Sequence, residues 1–162
     1  LTAINSQLPM VIDASALRLL ANHPQSDENW VLTPHPGEAA SLLACSTDLI
    51  QQDRYHAAAM IQQQYGGVVV LKGSGSIIQI AEKNTFVCPR GNPGMASAGM
   101  GDVLSGIIAG LCAQGFSLAH AAQYGVWVHA VAGDRVAEKW GGSGLLASDL
   151  FDMIPYVLNY AE

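Results

Sequence analysis

The stretch Gly91–Gly110, GNPGMASAGMGDVLSGIIAG, joins a glycine-rich loop to an apolar run with helical spacing from Gly101 onward. Backbone N–H groups at a helix start lack intrahelical partners and carry partial positive charge. Glycines let that backbone approach an anion closely and take positive φ. The pattern predicts a phosphate cradle built from main chain, which suits a chain with only seven Lys and Arg residues. It is not a Walker A loop, because no Gly-Lys-Ser/Thr ends it. Asp102 stands in the first turn of the predicted helix. Two readings stay open for it. It stabilises the helix start by about 0.3–1 kcal/mol, or it takes a proton from a substrate hydroxyl during phosphoryl transfer. Like charges repel, so structure alone explains a carboxylate beside a phosphate cradle poorly.

Three other segments carry candidate chemistry. Lys72–Ser76 (Lys-Gly-Ser-Gly-Ser) interrupts an apolar strand. Its Gly-Ser-Gly is no dinucleotide fingerprint, since the third glycine and the helix opening are missing. A lone Lys there reads more readily as a solvated edge charge. Pro34 and Pro36 break the chain sharply around His35, and Glu38 then starts a helix. Asp13 ends the first recognisable strand, where it caps the following helix or faces a phosphate or magnesium ion. His129 and Trp127 read as core, His23, His56 and His120 as surface, and Arg90 faces nucleotide or solvent.

These residues need elements to position them. Strands are expected at 9–12, 30–33 and 68–71, and a hairpin from 77–81 and 85–87 turns at Glu82–Asn84. Helices are expected at 14–21, 38–44, 48–65, 101–114, 118–140 (as one long helix or two) and 148–160, the last capped by Ser148. Gly66 and Gly67 sit where a helix C-terminus wants them. Strands alternating with helices predict an α/β fold with a parallel sheet flanked by helices. The strands lack polar alternation, as strands buried on both faces do.

Bulk properties narrow the function classes. The chain has 162 residues, half of them apolar and 12% charged, with a net charge of −6. That fits one globular domain over 1–162. No basic stripe serves a nucleic acid. The apolar run 103–113 is too short to cross a membrane. Cys45, Cys88 and Cys112 are odd in number and form no CxxC pair, which predicts reduced thiols in the cytoplasm. The five histidines show no metal-ligand spacing.

GNPGMASAGMGDVLSG is similar to the signature of the ADP-dependent NAD(P)H-hydrate dehydratases, within the ribokinase-like superfamily. The resemblance extends, in order, through Val11–Ala14, Thr33–Glu38, Val70–Gly73 and Gly144–Leu150, and so over nearly the whole chain. Two positions depart from the pattern: Ala98 stands for a Gly and Met100 for a Thr. The second removes a hydroxyl that would reach phosphate. The resemblance implies repair of hydrated NADH or NADPH. ADP or ATP, with magnesium, phosphorylates the ring hydroxyl, and loss of phosphate restores the dihydronicotinamide. It implies Asp102 as catalytic base in contact with substrate, and His35 against the hydrate. Lys72, Gly73, Ser74, Gly75, Ser76, Gly99, Met100 and Gly101 are implied around the nucleotide. No protein-held metal site is implied. Such domains have a larger sheet, so this chain is expected to be the C-terminal part of one and to lack N-terminal strands. An epimerase domain fused upstream and a homo-oligomer are expected partners. Two alternatives remain: a ribokinase-like vitamin-precursor kinase, whose product keeps its phosphate, and an inactive nucleotide-binding fragment.

Overall fold

The computed structural model describes residues 8–81 and 84–160. Five strands form one sheet in the order β1-β2-β3-β4-β5. They are β1 (Met10–Ile12), β2 (Trp30–Leu32), β3 (Val68–Leu71), β4 (Ser76–Ile80) and β5 (Asn84–Cys88). β1, β2 and β3 are parallel, and β4 and β5 are antiparallel. The expected parallel sheet is therefore mixed. The cause is local: only four residues part β3 from β4, too few for the crossover that a parallel return requires. The hairpin turn at Glu82 and Lys83 lies outside the described residues.

Helices cover both faces, and the period-2 alternation of the strands divides their side chains between them. Trp30, Leu32, Val69, Leu71 and Ile77 pack with residues of α1 (Ser15–Asn22), α2 (Pro36–Leu42) and α4 (Arg54–Tyr65). Val31, Val68, Val70 and Ile78 pack with residues of α5 (Met100–Ala113) and α6 (Leu118–Trp140). Every residue of β2 and β3 is buried, which is why these strands read as unbroken apolar runs. A third cluster joins α6 to α7 (Met153–Tyr160).

Three expected helices are cut differently. The segment 48–65 is two helices, α3 (Thr47–Gln52) and α4, because Asp53 leaves helical φ/ψ and accepts from His56 N–H at 2.9 Å as the cap of α4. The helix expected at Glu38 begins two residues earlier, because Pro36 occupies its first position. The helix expected from Ser148 is a 3-10 turn, Ala147–Leu150, followed by α7. Asp149 accepts from Leu146 N–H at 2.8 Å, so Ser148 lies inside the turn and caps nothing.

Candidate functional site

In the parallel part of the sheet, β1, β2 and β3 end at one edge. Asp13 follows β1, Thr33 and His35 follow β2, and Lys72 follows β3. Open α/β sheets bind ligands at this carboxyl edge. A cavity of about 840 Å³ opens there. Its wall includes His35, Lys72, Gly73, Ser74, Gly75, Ser76, Gly99, Met100, Gly101 and Asp102. Every residue singled out around substrate and nucleotide thus lines one cavity.

The charged floor is a network that joins the ends of β1, β2 and β3 to α2 and α5. Lys72 Nζ donates to Asp13 Oδ1 at 2.8 Å and lies 3.7 Å from Glu38 Oε2. Ser105 Oγ, one turn into α5, donates to Asp13 Oδ2 at 2.7 Å and sits 3.4 Å from Thr33 Oγ1. Burial pushes the Asp13 carboxyl up, but the hydrogen bonds from Lys72 and Ser105, the Lys72 charge and the Ala14 N–H outweigh it. Asp13 therefore lies below the ordinary carboxylate value. Of the two readings for Asp13, helix capping fails, because the cap position of α1 is Ala14 and no side chain caps it. Ala14 has φ 48° and ψ −120°, a conformation costly for a side-chain-bearing residue. Its N–H bonds to Asp13 Oδ1 at 2.8 Å, so the strain sits directly beside the network.

The start of α5 faces the same space. Gly99 is its N-cap in the left-handed region, with φ 85°. The N–H groups of Gly101 and Asp102 have no acceptor among the described residues, as expected of a helix start. A Cβ on Gly101 would lie 3.3 Å from Lys72 Nζ and 3.6 Å from Asp13 Oδ2. The glycine is what lets the ammonium and the helix start share one pocket. Asp102 is exposed, and its carboxylate makes no hydrogen bond among the described residues.

His35 is more constrained than its loop position suggested. Its Nδ1 accepts from Gly37 and Glu38 N–H at 3.0 and 3.2 Å, and Glu38 Oε2 accepts from His35 N–H at 2.9 Å. This closes a capping box. With Nδ1 accepting, a neutral ring carries its proton on Nε2, which lies 3.5 Å from Glu38 Oε1. His129, expected in the core, is only partly buried and lines the cavity. Burial holds its pKa at about 4, with the Met100 backbone opposing and the Lys72 charge assisting. Trp127 is also only partly buried, packed against the third cluster.

Sequence reasoning missed several residues that hold the walls. Asp134 on α6 accepts from Gly91 N–H at 3.1 Å and from Asn92 Nδ2 at 3.0 Å, and a Cβ on its neighbour Gly133 would collide with Met95. Ser105 and Arg54 were missed likewise, and Glu38 was read only as a helix start. The usable signal was the shared strand edge, which makes Asp13 and Lys72 neighbours across β2.

Residues 2–156 match the family model described as NAD(P)H-hydrate dehydratase. A bifunctional NAD(P)H-hydrate repair enzyme of Coxiella burnetii is 53% identical over 156 residues, covering 96% of this chain and 32% of that protein. An ADP-dependent (S)-NAD(P)H-hydrate dehydratase of Neisseria meningitidis is 41% identical over 158 residues, covering 93% of this chain and 53% of that protein. The crystal structure of an ADP/ATP-dependent NAD(P)H-hydrate dehydratase from Bacillus subtilis, co-crystallised with ATP and magnesium, superposes with a TM-score of 0.85 at 28% identity. It covers 95% of this chain and 57% of that one. The chain thus spans about a third to somewhat over half the length of these relatives.

Proposed function

Because the chain belongs to the NAD(P)H-hydrate dehydratase family, we propose that its cavity performs adenine-nucleotide-dependent dehydration of NADH-hydrate or NADPH-hydrate. The observation that carries this reading is the convergence of Lys72, the unsatisfied N–H groups of Gly101 and Asp102, and the free Asp102 carboxylate on one cavity wall. That set combines anion stabilisation with a base, as phosphoryl transfer to a hydroxyl requires.

The hydroxyl oxygen on the hydrated ring attacks the terminal phosphorus of ADP or ATP. The P–O bond to the leaving AMP or ADP breaks, and Asp102 takes the hydroxyl proton. The helix-start N–H groups and Lys72 hold the charge that develops on the phosphoryl oxygens. The C–O bond then breaks with its electron pair going to phosphate, and loss of a ring proton restores the dihydronicotinamide. Magnesium belongs to the same reading. No three His, Cys, Asp or Glu side chains among the described residues could hold a metal ion, and Lys72 already engages Asp13 and Glu38. The site fits an ion held by the nucleotide's own phosphates, which would neutralise phosphate charge. Lys72–Ser76 and Gly99–Gly101 are assigned to the nucleotide, His35 and Asp102 to the hydrate.

The wider setting is read the same way. The described residues form one domain. The bifunctional names and greater lengths of several relatives support an epimerase partner. Exposed Phe86 and Val87 on β5 support self-association, since an apolar edge invites pairing. Three free cysteines suit the cytoplasm.

Incubation with NADPH-hydrate and either ADP or ATP tests the reading, with return of dihydronicotinamide absorbance expected. A stable phosphorylated product would convert the assignment to a kinase. Gly101→Val gives an independent check by calorimetry. Its side chain would crowd the Lys72 ammonium, 3.3 Å from the added Cβ, so ADP affinity should fall at least about tenfold, the equivalent of ~1.4 kcal/mol. Unchanged affinity in a folded variant removes the α5 start from the nucleotide site.

A further inference from the structure

The Lys72–Ser76 loop is held from behind by a side chain that is not on the cavity wall. Arg54, the first residue of α4, donates through Nη1 to the Ser74 carbonyl at 2.6 Å. Its Nη2 reaches the Leu71 and Lys72 carbonyls at 3.2 and 3.5 Å. The ion pairs among the described residues do not include Arg54. Carbonyl dipoles, not a carboxylate, answer its charge. Gly73 lies so close that a Cβ there would stand 2.9 Å from Arg54 Nη2.

A trans peptide points its C=O and N–H to opposite sides, and no described peptide bond is cis. Drawing the Lys72 and Ser74 carbonyls back to Arg54 therefore turns the N–H groups of Gly73 and Gly75 the other way. Both glycines line the cavity, and neither N–H has an acceptor among the described residues. Their φ values of 149° and 66° let the loop hold this arrangement.

We infer that Arg54 is a positioning residue for nucleotide binding: it holds the Gly73 and Gly75 N–H groups toward the cavity, where they donate to phosphate oxygens of a nucleoside di- or triphosphate. This rests on the nucleotide reading of the cavity given above. Arg54 touches no ligand itself. Its guanidinium fork suits the task because it reaches three carbonyls at once, which a lysine ammonium on a flexible stem does poorly.

The test uses the ¹⁵N-labelled chain with magnesium and ADP. Both glycine amide resonances should move on addition of ADP, and neither on addition of adenosine, which lacks phosphates. Arg54→Ala should weaken ADP binding at least about tenfold, the loss of a charge-supported contact, and leave adenosine affinity unchanged. Arg54→Lys should fall between, and millimolar guanidinium should restore part of the Arg54→Ala loss. Arg54→Lys carries the comparison if the alanine variant fails to fold. Equal ADP affinity in the variant and the parent overturns the inference. Equal loss of ADP and adenosine does too, since it marks a merely structural role. A parent that binds ADP with both amides unmoved overturns the inference alone. A parent that binds no ADP overturns the nucleotide reading as well.

Discussion

Asp102→Asn is expected to lower kcat by about 10²–10⁴, the usual cost of losing a general base, while nucleotide binding and folding persist. The carboxylate sits in the first turn of α5, exposed on the cavity wall and free of hydrogen bonds among the described residues. A residue retained only for helix stability would not need the cavity. Asparagine keeps the size and removes the base. At an exposed helix start the lost charge–dipole term is worth about 0.3–1 kcal/mol, so the fold survives. Removing a negative charge beside bound phosphates should leave ADP affinity equal or slightly higher. The measurement is kcat beside ADP affinity and melting temperature. A kcat within about threefold of the parent, far short of the general-base range, returns Asp102 to a helix-start role.

Lys72→Met should cost stability as well as affinity. The ammonium stands between Asp13 and Glu38, whose side chains are 14% and 9% exposed. Removing it leaves two largely buried carboxylates without the cation they share. Loss of one partner from a buried pair costs about 3–5 kcal/mol, and water reaches this cluster, so about 3 kcal/mol is expected. The pH dependence follows from Asp13. Its folded pKa lies below the ordinary carboxylate value, held there by Lys72 and Ser105 against burial. In the parent, its stabilisation is present above that value and is lost as pH falls through the folded pKa. In Lys72→Met the cation is gone while burial still raises the carboxyl. The deficit should be largest near neutral pH and shrink as acid protonates the pair. Denaturant midpoints at neutral pH and near about pH 4, the ordinary carboxylate range, would check it. A deficit that stays constant or grows on acidification contradicts the network. Nucleotide affinity should also drop, because the ammonium and the α5 start share one pocket.

The sequence alone determined the features that depend on near neighbours in the chain. Val68–Leu71 is three β-branched valines and a leucine, apolar throughout, and it is a strand buried on both faces. Gly91–Gly110 announced a loop feeding a helix, and α5 begins one residue from the expected start. The glycine loop, Lys72–Ser76 and His35 were each singled out within one short segment, and all stand on one cavity wall. Local chemistry suffices there, because a turn or a helix start is specified by the residues that form it.

Tertiary structure decided whatever depends on residues distant in sequence. The break of the 48–65 segment into two helices was by contrast local, because the Asp53 side chain caps α4 through His56 N–H instead of continuing α3. The antiparallel return to β4 was local too, because the four residues after Leu71 leave no room for a crossover. Asp13, Lys72 and Ser105 meet because two parallel strands and a helix start end at the same edge, bringing residues 59 and 92 positions apart into hydrogen bonding. Arg54 was unreadable as part of the site: a lone arginine at a helix start looks like a surface charge. Only the fold brings the loop's carbonyls to it, 17 to 20 residues further along the chain. His129 looked like core because helical spacing specifies which face is inward, not whether a sheet, a helix or a ligand cavity lies beyond that face.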